Sequence, residues 1–179
     1  MGTEREVYRG FGASPRRLRP SVEALSRGLI RTGRRPRING PVDAYNAVSV
    51  RFGLPAAACD LDAVRGDIRV RMVRDADRLI PLGEPCTAQA PTGGEVVYAD
   101  EAGILSRCWN HMDCDRRKVT EDSRNLLPLL ESAQGDPADP LLGEATAALG
   151  EPLGGNTQEV TMHRLGVRYA ETVPLSGTR

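Results

Sequence analysis

Apolar positions recur at helical spacing in the first third of the chain and at strand spacing in the middle. Val22, Leu25, Leu29 and Ile30 fall on one helical stripe, opened by Ser21 as an N-cap after Pro20 and ended near Gly33. A second helix opens at Pro41, carries Val42, Tyr45, Val48 and Ser49 on its faces, and closes before Gly53-Leu54-Pro55. Residues 1–20, with Gly10, Gly12, Pro15 and Pro20, read as an extended lead-in. The period then changes. Ile68, Val70 and Met72 alternate with Arg69 and Arg71, the pattern of a half-buried strand. Leu79–Leu82, Glu95–Ala99 and Ile104–Cys108 read as further strands, punctuated by Gly66-Asp67, Gly83, Gly93-Gly94 and Gly103. The leucine-rich stretch Asn125–Ser132 suits either a buried strand or a short helix. A linker at Asp136–Pro140, a helix over 141–149 and a last strand over 158–169 complete the pattern.

Helices first and a mostly antiparallel sheet afterwards make an α+β fold, with β-sheet layers flanked by helices. The expected organisation is one domain over 1–134. Residues 135–179 add a linker, a helix and a last strand packed on the same domain. With 179 residues, 40% of them hydrophobic, the chain can bury a real core. No apolar run approaches the roughly 18 residues of a membrane span. The charged start (Glu4, Arg5, Glu6) lacks the apolar stretch of a signal peptide. Four cysteines (Cys59, Cys86, Cys108, Cys114) are too sparse for a secreted disulfide scaffold, so reduced thiols and a cytoplasmic setting are expected. At 4% aromatic, the chain is a poor single-strand stacking platform.

The formal net charge is zero, but residues 1–51 hold eleven arginines against four acids, and the remainder is correspondingly acidic. One basic face suits a phosphate-rich partner. A solvated arginine-rich surface, in a chain whose single lysine is Lys118, is the plainer account.

One set of motifs is specific. Ile38-Asn39-Gly40-Pro41-Val42-Asp43-Ala44-Tyr45-Asn46 carries a V-D-x-x-N element, followed by Leu54-Pro55-Ala56-Ala57-Ala58-Cys59-Asp60. Gly66-Asp67-Ile68-Arg69-Val70-Arg71, Gly94-Glu95-Val96-Val97-Tyr98-Ala99-Asp100, and Arg107-Cys108-Trp109-Asn110 with Thr120, Asn125 and Glu131 continue in order. Together, over about residues 7–133, they resemble the B3/B4 domain, the editing module of the phenylalanyl-tRNA synthetase β subunit, in its stand-alone form. The resemblance implies a shorter lead before Tyr8 than stand-alone relatives carry. It also implies a hydrolase that cleaves the ester between a wrong amino acid and its tRNA with a positioned water, with no cofactor and no Ser/His/Asp triad.

Carried over residue by residue, the resemblance implies a substrate pocket lined by Arg37, Asn39, Asp43, Trp109, Asn110 and Glu131, with Asn46 and His111 as catalytic candidates. Asn46 and Asp43 either fix the loop that lines the pocket or serve hydrogen bonds within their helix. Glu131 falls near the family glutamate that recognises a tyrosine hydroxyl; otherwise it is a strand-end carboxylate in solvent. Arg35 and Arg37 lie close to a substrate-contacting arginine, or belong with Arg16, Arg17 and Arg34 to a basic patch that meets tRNA. The pocket histidine of the bacterial family aligns with Ala57, and His111-Met112 stands where relatives carry an aromatic and an arginine.

These departures admit two other readings. One is a diverged enzyme that transfers the aminoacyl group to an amine or acts on a free amino acid. The other is a non-catalytic module that binds an amino acid or tRNA. Cys108, His111 and Cys114, spaced three apart, admit zinc or a Cys–His nucleophile, whereas strand alternation makes Cys108 an inward core thiol. The favoured expectation has no metal and no cofactor.

Overall fold

The computed structural model describes residues 2–12, 14, 18–84, 86–134, 139–155 and 159–166. Its helices are α1 (Gly2–Gly10), α2 (Ser21–Thr32), α3 (Gly40–Phe52) and α4 (Pro140–Gly154). Its strands are β1 (Ala56–Asp60), β2 (Arg69–Met72), β3 (Val96–Asp100), β4 (Gly103–Arg107), β5 (Met112–Asp113) and β6 (Leu126–Leu130). All pairings are antiparallel: β1 with β6 in one sheet, and β2-β3-β4-β5 in the other. This is the α+β architecture expected from the pattern. Among the described residues, no helix is long and apolar enough to cross a membrane.

The helix stops are local. Gly33 and Gly53 both sit at φ 68°, and each donates its N–H to the carbonyl four residues back, on Leu29 and Ser49. An αL residue closes a helix this way, and glycine adopts it without a Cβ clash. At the other end of α3, Asn39 Oδ1 accepts from Val42 N at 3.0 Å, and Pro41 sits where a missing N–H costs nothing. Asp139 caps α4 in the same way through Leu141 N.

Several expectations are corrected. The lead-in is helical over Gly2–Gly10. The glycines and prolines that suggested extension all lie at or beyond its end, and Tyr8 anchors it against Cys108, Phe11, Leu18 and Trp109. Ser21 is the first helical residue of α2 rather than its cap, and its hydroxyl has no partner among the described residues. Ile30 leaves the α2 stripe and is exposed, while Val22 is buried. Strand β2 forms, but without the expected half-buried apolar face: Val70 and Met72 are 60% and 53% exposed, and only Arg71 is half-buried. Arg71 is drawn in to Asp77 by two bonds of 2.6 and 2.8 Å, because a bidentate carboxylate outweighs the burial of one edge-strand apolar side chain. Residues 79–82 make two isolated bridges, Leu79 to Gln89 and Pro81 to Cys114, instead of a strand; Pro81 has no N–H to continue a ladder. The 125–132 stretch resolves as strand β6. Of the last strand placed over 158–169, residues 159–166 form none, and the rest lie outside the described residues.

The core has two main parts. Leu79, Val97, Ala99, Ile104, Leu105 and Cys114 fill one side of the four-stranded sheet. Val48 and Leu54 pack on Ala145 and Leu149, which seats α4 on α3. The two sheets share no ladder. They are tied by Arg117, 2% exposed, in the helical turn Asp115–Arg117. Its guanidinium donates to Leu105 O on β4 at 2.9 Å, to Ala58 O on β1 at 3.0 Å and to Cys59 Sγ at 2.8 Å, and it also pairs with Asp113.

Candidate functional site

The loop between β4 and β5 is the most constrained backbone in the molecule. Cys108 and Trp109 hold φ 48° and 60°, and they alone among non-glycine described residues have positive φ. Such conformations cost on the order of 1–3 kcal/mol each and persist only where the surroundings over-determine them. Here Trp109 N donates to Val96 O at 2.7 Å, and Ser106 Oγ donates to Trp109 O at 2.9 Å and Met112 O at 3.2 Å. A buried ion pair, Arg107 with Glu95, clamps the loop's root to the start of β3. Burial opposes the charge on Glu95, but Arg107 and Thr92 outweigh it and hold the carboxyl below its usual range.

The strained loop aims Asn110 at Glu131, just beyond the end of β6. Asn110 Nδ2 donates to Glu131 Oε2 at 2.9 Å, and the Tyr98 hydroxyl on β3 donates a short bond to Oε1. Asn110 Oδ1 in turn accepts from the Tyr8 hydroxyl at 2.8 Å. That contact orients the amide, because an oxygen engaged by a phenol leaves the nitrogen facing the carboxylate. Tyr8 and Trp109 rings lie 6.2 Å apart, tilted, and close one side. Desolvation pushes the Glu131 carboxyl above its ordinary value, although Tyr98, Asn110 and Trp109 pull it back. Burial, with the nearby Glu131 charge, likewise raises the Tyr98 phenol. A carboxylate has about four acceptor positions. Tyr98 and Asn110 hold two of them and the Trp109 side chain faces a third, which leaves one for a further N–H or O–H donor.

A second polar group adjoins the first. Burial disfavours charge on Arg117, but Asp113 and Cys59 outweigh it and hold its pKa high. Tyr45, on the inner face of α3, is pushed up to about 12, first by burial and then by the Asp113 charge.

The sequence candidates divide. Trp109, Asn110 and Glu131 come together as one cluster. Arg35, Arg37 and Asp43 instead line an open groove of about 450 Å³ between α3 and α4, with Gly40, Ala44, Ala47 and Arg51. Asp43 accepts from Ile38 N at 3.0 Å and Arg37 at 3.3 Å, and Arg35 donates to Asp43 O at 3.0 Å. The reason for the division is helical geometry: Val42 and Tyr45 pack inward, which turns Asp43, Ala47 and Arg51 outward. Asn39 is a cap, and its Nδ2 donates to Val119 O at 3.0 Å. We expect Asn39→Ala to lower stability by about 1 kcal/mol, read as a shift in the urea midpoint at unchanged slope; a shift indistinguishable from zero removes the capping role.

Asn46 is half-buried, and its side chain makes no hydrogen bond among the described residues. His111 lies at the loop's end with Nδ1 on the Arg19 backbone, 2.9 Å from its carbonyl and 3.2 Å from its N–H; the tautomer decides which is bonded. Arg34 is exposed and forms no ion pair among the described residues. Arg16 and Arg17 lie outside the described residues. Burial pushes the Cys108 thiol up to about 12 and raises Cys114 as well, which disfavours the Cys–His alternative, since a nucleophile needs a depressed pKa. Among the described residues, no three His, Cys, Asp or Glu side chains are grouped to hold a metal ion.

Tyr8, Tyr98, Asp113 and Arg117 were not singled out from the sequence. Tyr98 stands inside a quoted motif, and its alternation with buried Val97 and Ala99 was the available signal. Arg117 offered none, being one arginine in an arginine-rich chain.

The B3/4 domain profile matches residues 3–139. The phenylalanine–tRNA ligase β subunit of Psychrobacter arcticus is 35% identical over 109 residues, covering 61% of this chain and 13% of that protein. The Streptococcus pneumoniae β subunit is 39% identical over 88 residues, 49% of this chain and 11% of its own length. The Streptococcus mutans β subunit is 27% identical over 161 residues, 87% of this chain and 18% of its own. The chain thus spans less than a fifth of the length of these relatives. With five motifs in register and a matched segment that runs from α1 to the edge of α4, the chain belongs to the B3/4 domain family.

Proposed function

We propose that this chain hydrolyses the ester joining an amino acid to tRNA, acting in trans in the cytoplasm on tRNAs charged by another enzyme with a mistaken or non-canonical amino acid. The observation that carries this reading is the enclosed Tyr98–Glu131–Asn110 constellation beside the strained Trp109 turn, in a domain similar to part of phenylalanine–tRNA ligase β subunits. The remaining acceptor position of Glu131 takes the ammonium or a hydroxyl of the aminoacyl group, and the Trp109 ring supplies an adjoining wall. His111 offers Nε2, which no described residue bonds, to the attacking water. Asn46 orients the ester from α3. Arg34 and Arg35, with Arg16 and Arg17, meet the tRNA phosphates. Positioning a water and an ester in a desolvated site supplies much of the acceleration such a reaction needs.

The test is release of labelled amino acid from a panel of mischarged tRNAs. Release above the buffer rate for at least one of them is expected. Buffer-rate release across the whole panel overturns the reading.

Binding without turnover is the second reading. It is favoured by the Tyr98 phenol, which already occupies one Glu131 oxygen in the way a ligand hydroxyl would. Thermal stabilisation by a free amino acid, with no ester cleaved, is its signature.

A further inference from the structure

We infer that the groove between α3 and α4 is a binding site for the sugar-phosphate backbone of an RNA strand, separate from the Glu131 cluster. Helix α4 lies beyond the matched segment, yet its Ala148 and Pro152 form one wall. The other wall is the outer face of α3, where Gly40, Ala44 and Ala47 are small and keep a trough of about 450 Å³ open. Three arginines line it: Arg35, Arg37 and Arg51.

The charge there is unbalanced. Asp43 is the only acid in the lining, and its carboxylate already accepts from Ile38 N and Arg37. Arg35 spends one N–H on a backbone carbonyl, which cancels no charge. Arg51 lies 5.1 Å over the Phe52 ring and has no acidic partner among the described residues. Arg37 keeps a side chain 80% exposed to solvent. The groove therefore carries a net positive charge presented as guanidinium forks, the geometry that suits phosphate oxygens. Its apolar floor of Ala44, Ala47, Val48 and Ala148 gives a ribose a dry surface. No aromatic ring lines it, so bases are not stacked and sequence is not read. The inference rests on RNA as the partner proposed above, but not on ester hydrolysis.

The test uses uncharged tRNA, so binding is measured with no ester present. Fluorescence anisotropy over a salt series is compared for the wild type, Arg37→Ala/Arg51→Ala, and Ala47→Glu, which puts a carboxylate in the trough. Removing two arginines is expected to make the slope of log K against log salt shallower by about 1.4 and to weaken binding roughly 20-fold at 0.1 M salt. Ala47→Glu is expected to weaken binding with its melting temperature unchanged. Both variants binding as the wild type does overturns the inference. So does a groove that AMP or inorganic phosphate occupies while tRNA does not compete. A protein that binds tRNA through this groove and releases no amino acid leaves the inference standing and removes only the hydrolytic reading.

Discussion

Arg117→Met will lower the unfolding free energy by about 3–5 kcal/mol, the largest single-residue effect expected in this chain. The side chain is almost fully buried, and it is the hydrogen-bonded tie between the β1–β6 sheet and β4. Methionine is unbranched like the arginine stem, but it is shorter and donates nothing. Ala58 O and Cys59 Sγ lose the guanidinium donor, Leu105 O keeps the Cys114 N–H, and Asp113 loses its cation. Each buried acceptor left unpaired costs about 1–3 kcal/mol. The upper end is not reached, because the Asp113 side chain is 30% exposed and water solvates part of it. In a chain of this size the loss corresponds to a fall in melting temperature of about 10 °C. Arg117→Lys should recover little, since one ammonium cannot span acceptors on two sheets. Chemical denaturation checks this, and a loss below about 1 kcal/mol would show that the sheets hold together without the guanidinium.

Glu131→Gln is expected to separate chemistry from stability. The folded-state pKa of Glu131 is raised by desolvation, so the native protein binds this proton more tightly than the unfolded chain does. Its contribution to stability is greatest below the unfolded value of about 4.3. That contribution declines as pH rises through the folded pKa and is flat above it. Glutamine cannot ionise. It can still accept from Asn110 and donate to the Tyr98 oxygen, so the network survives. The stability of the variant relative to wild type should therefore increase as pH rises across that window. Aminoacyl release should drop by about 10- to 100-fold, the loss of a charge-assisted hydrogen bond to the substrate. Parallel pH–stability curves would place Glu131 in ordinary solvent, and full release by a folded variant would remove it from the chemistry.

The elements that sequence patterns captured share one property: their determinants are local. Asn39-Gly40-Pro41 specifies the start of α3 within three residues, and Gly33 and Gly53 specify the ends of α2 and α3. Strands β3 and β4 lie within a residue or two of their expected runs, and the leucine-rich stretch left open between strand and helix is β6. The family motifs were readable for the same reason, as short stretches in order. The misses involve partners far apart along the chain. Helix α1 is held by Tyr8 against Cys108 and Trp109, a hundred residues away in sequence terms, and its own composition argued for a loop. The half-burial of Arg71 in β2 follows from Asp77, outside the strand.

What the order of residues established about this molecule, then, is its class and its family. What required the folded chain is which side chains meet. Trp109, Asn110 and Glu131 converge because a strained turn and a strand end are brought together by two sheets. Arg37 and Asp43, equally marked by motif, are turned away into a groove because α3 buries its other face. A motif records neighbours along the backbone, whereas a binding site is a set of neighbours across space, and packing chooses that set.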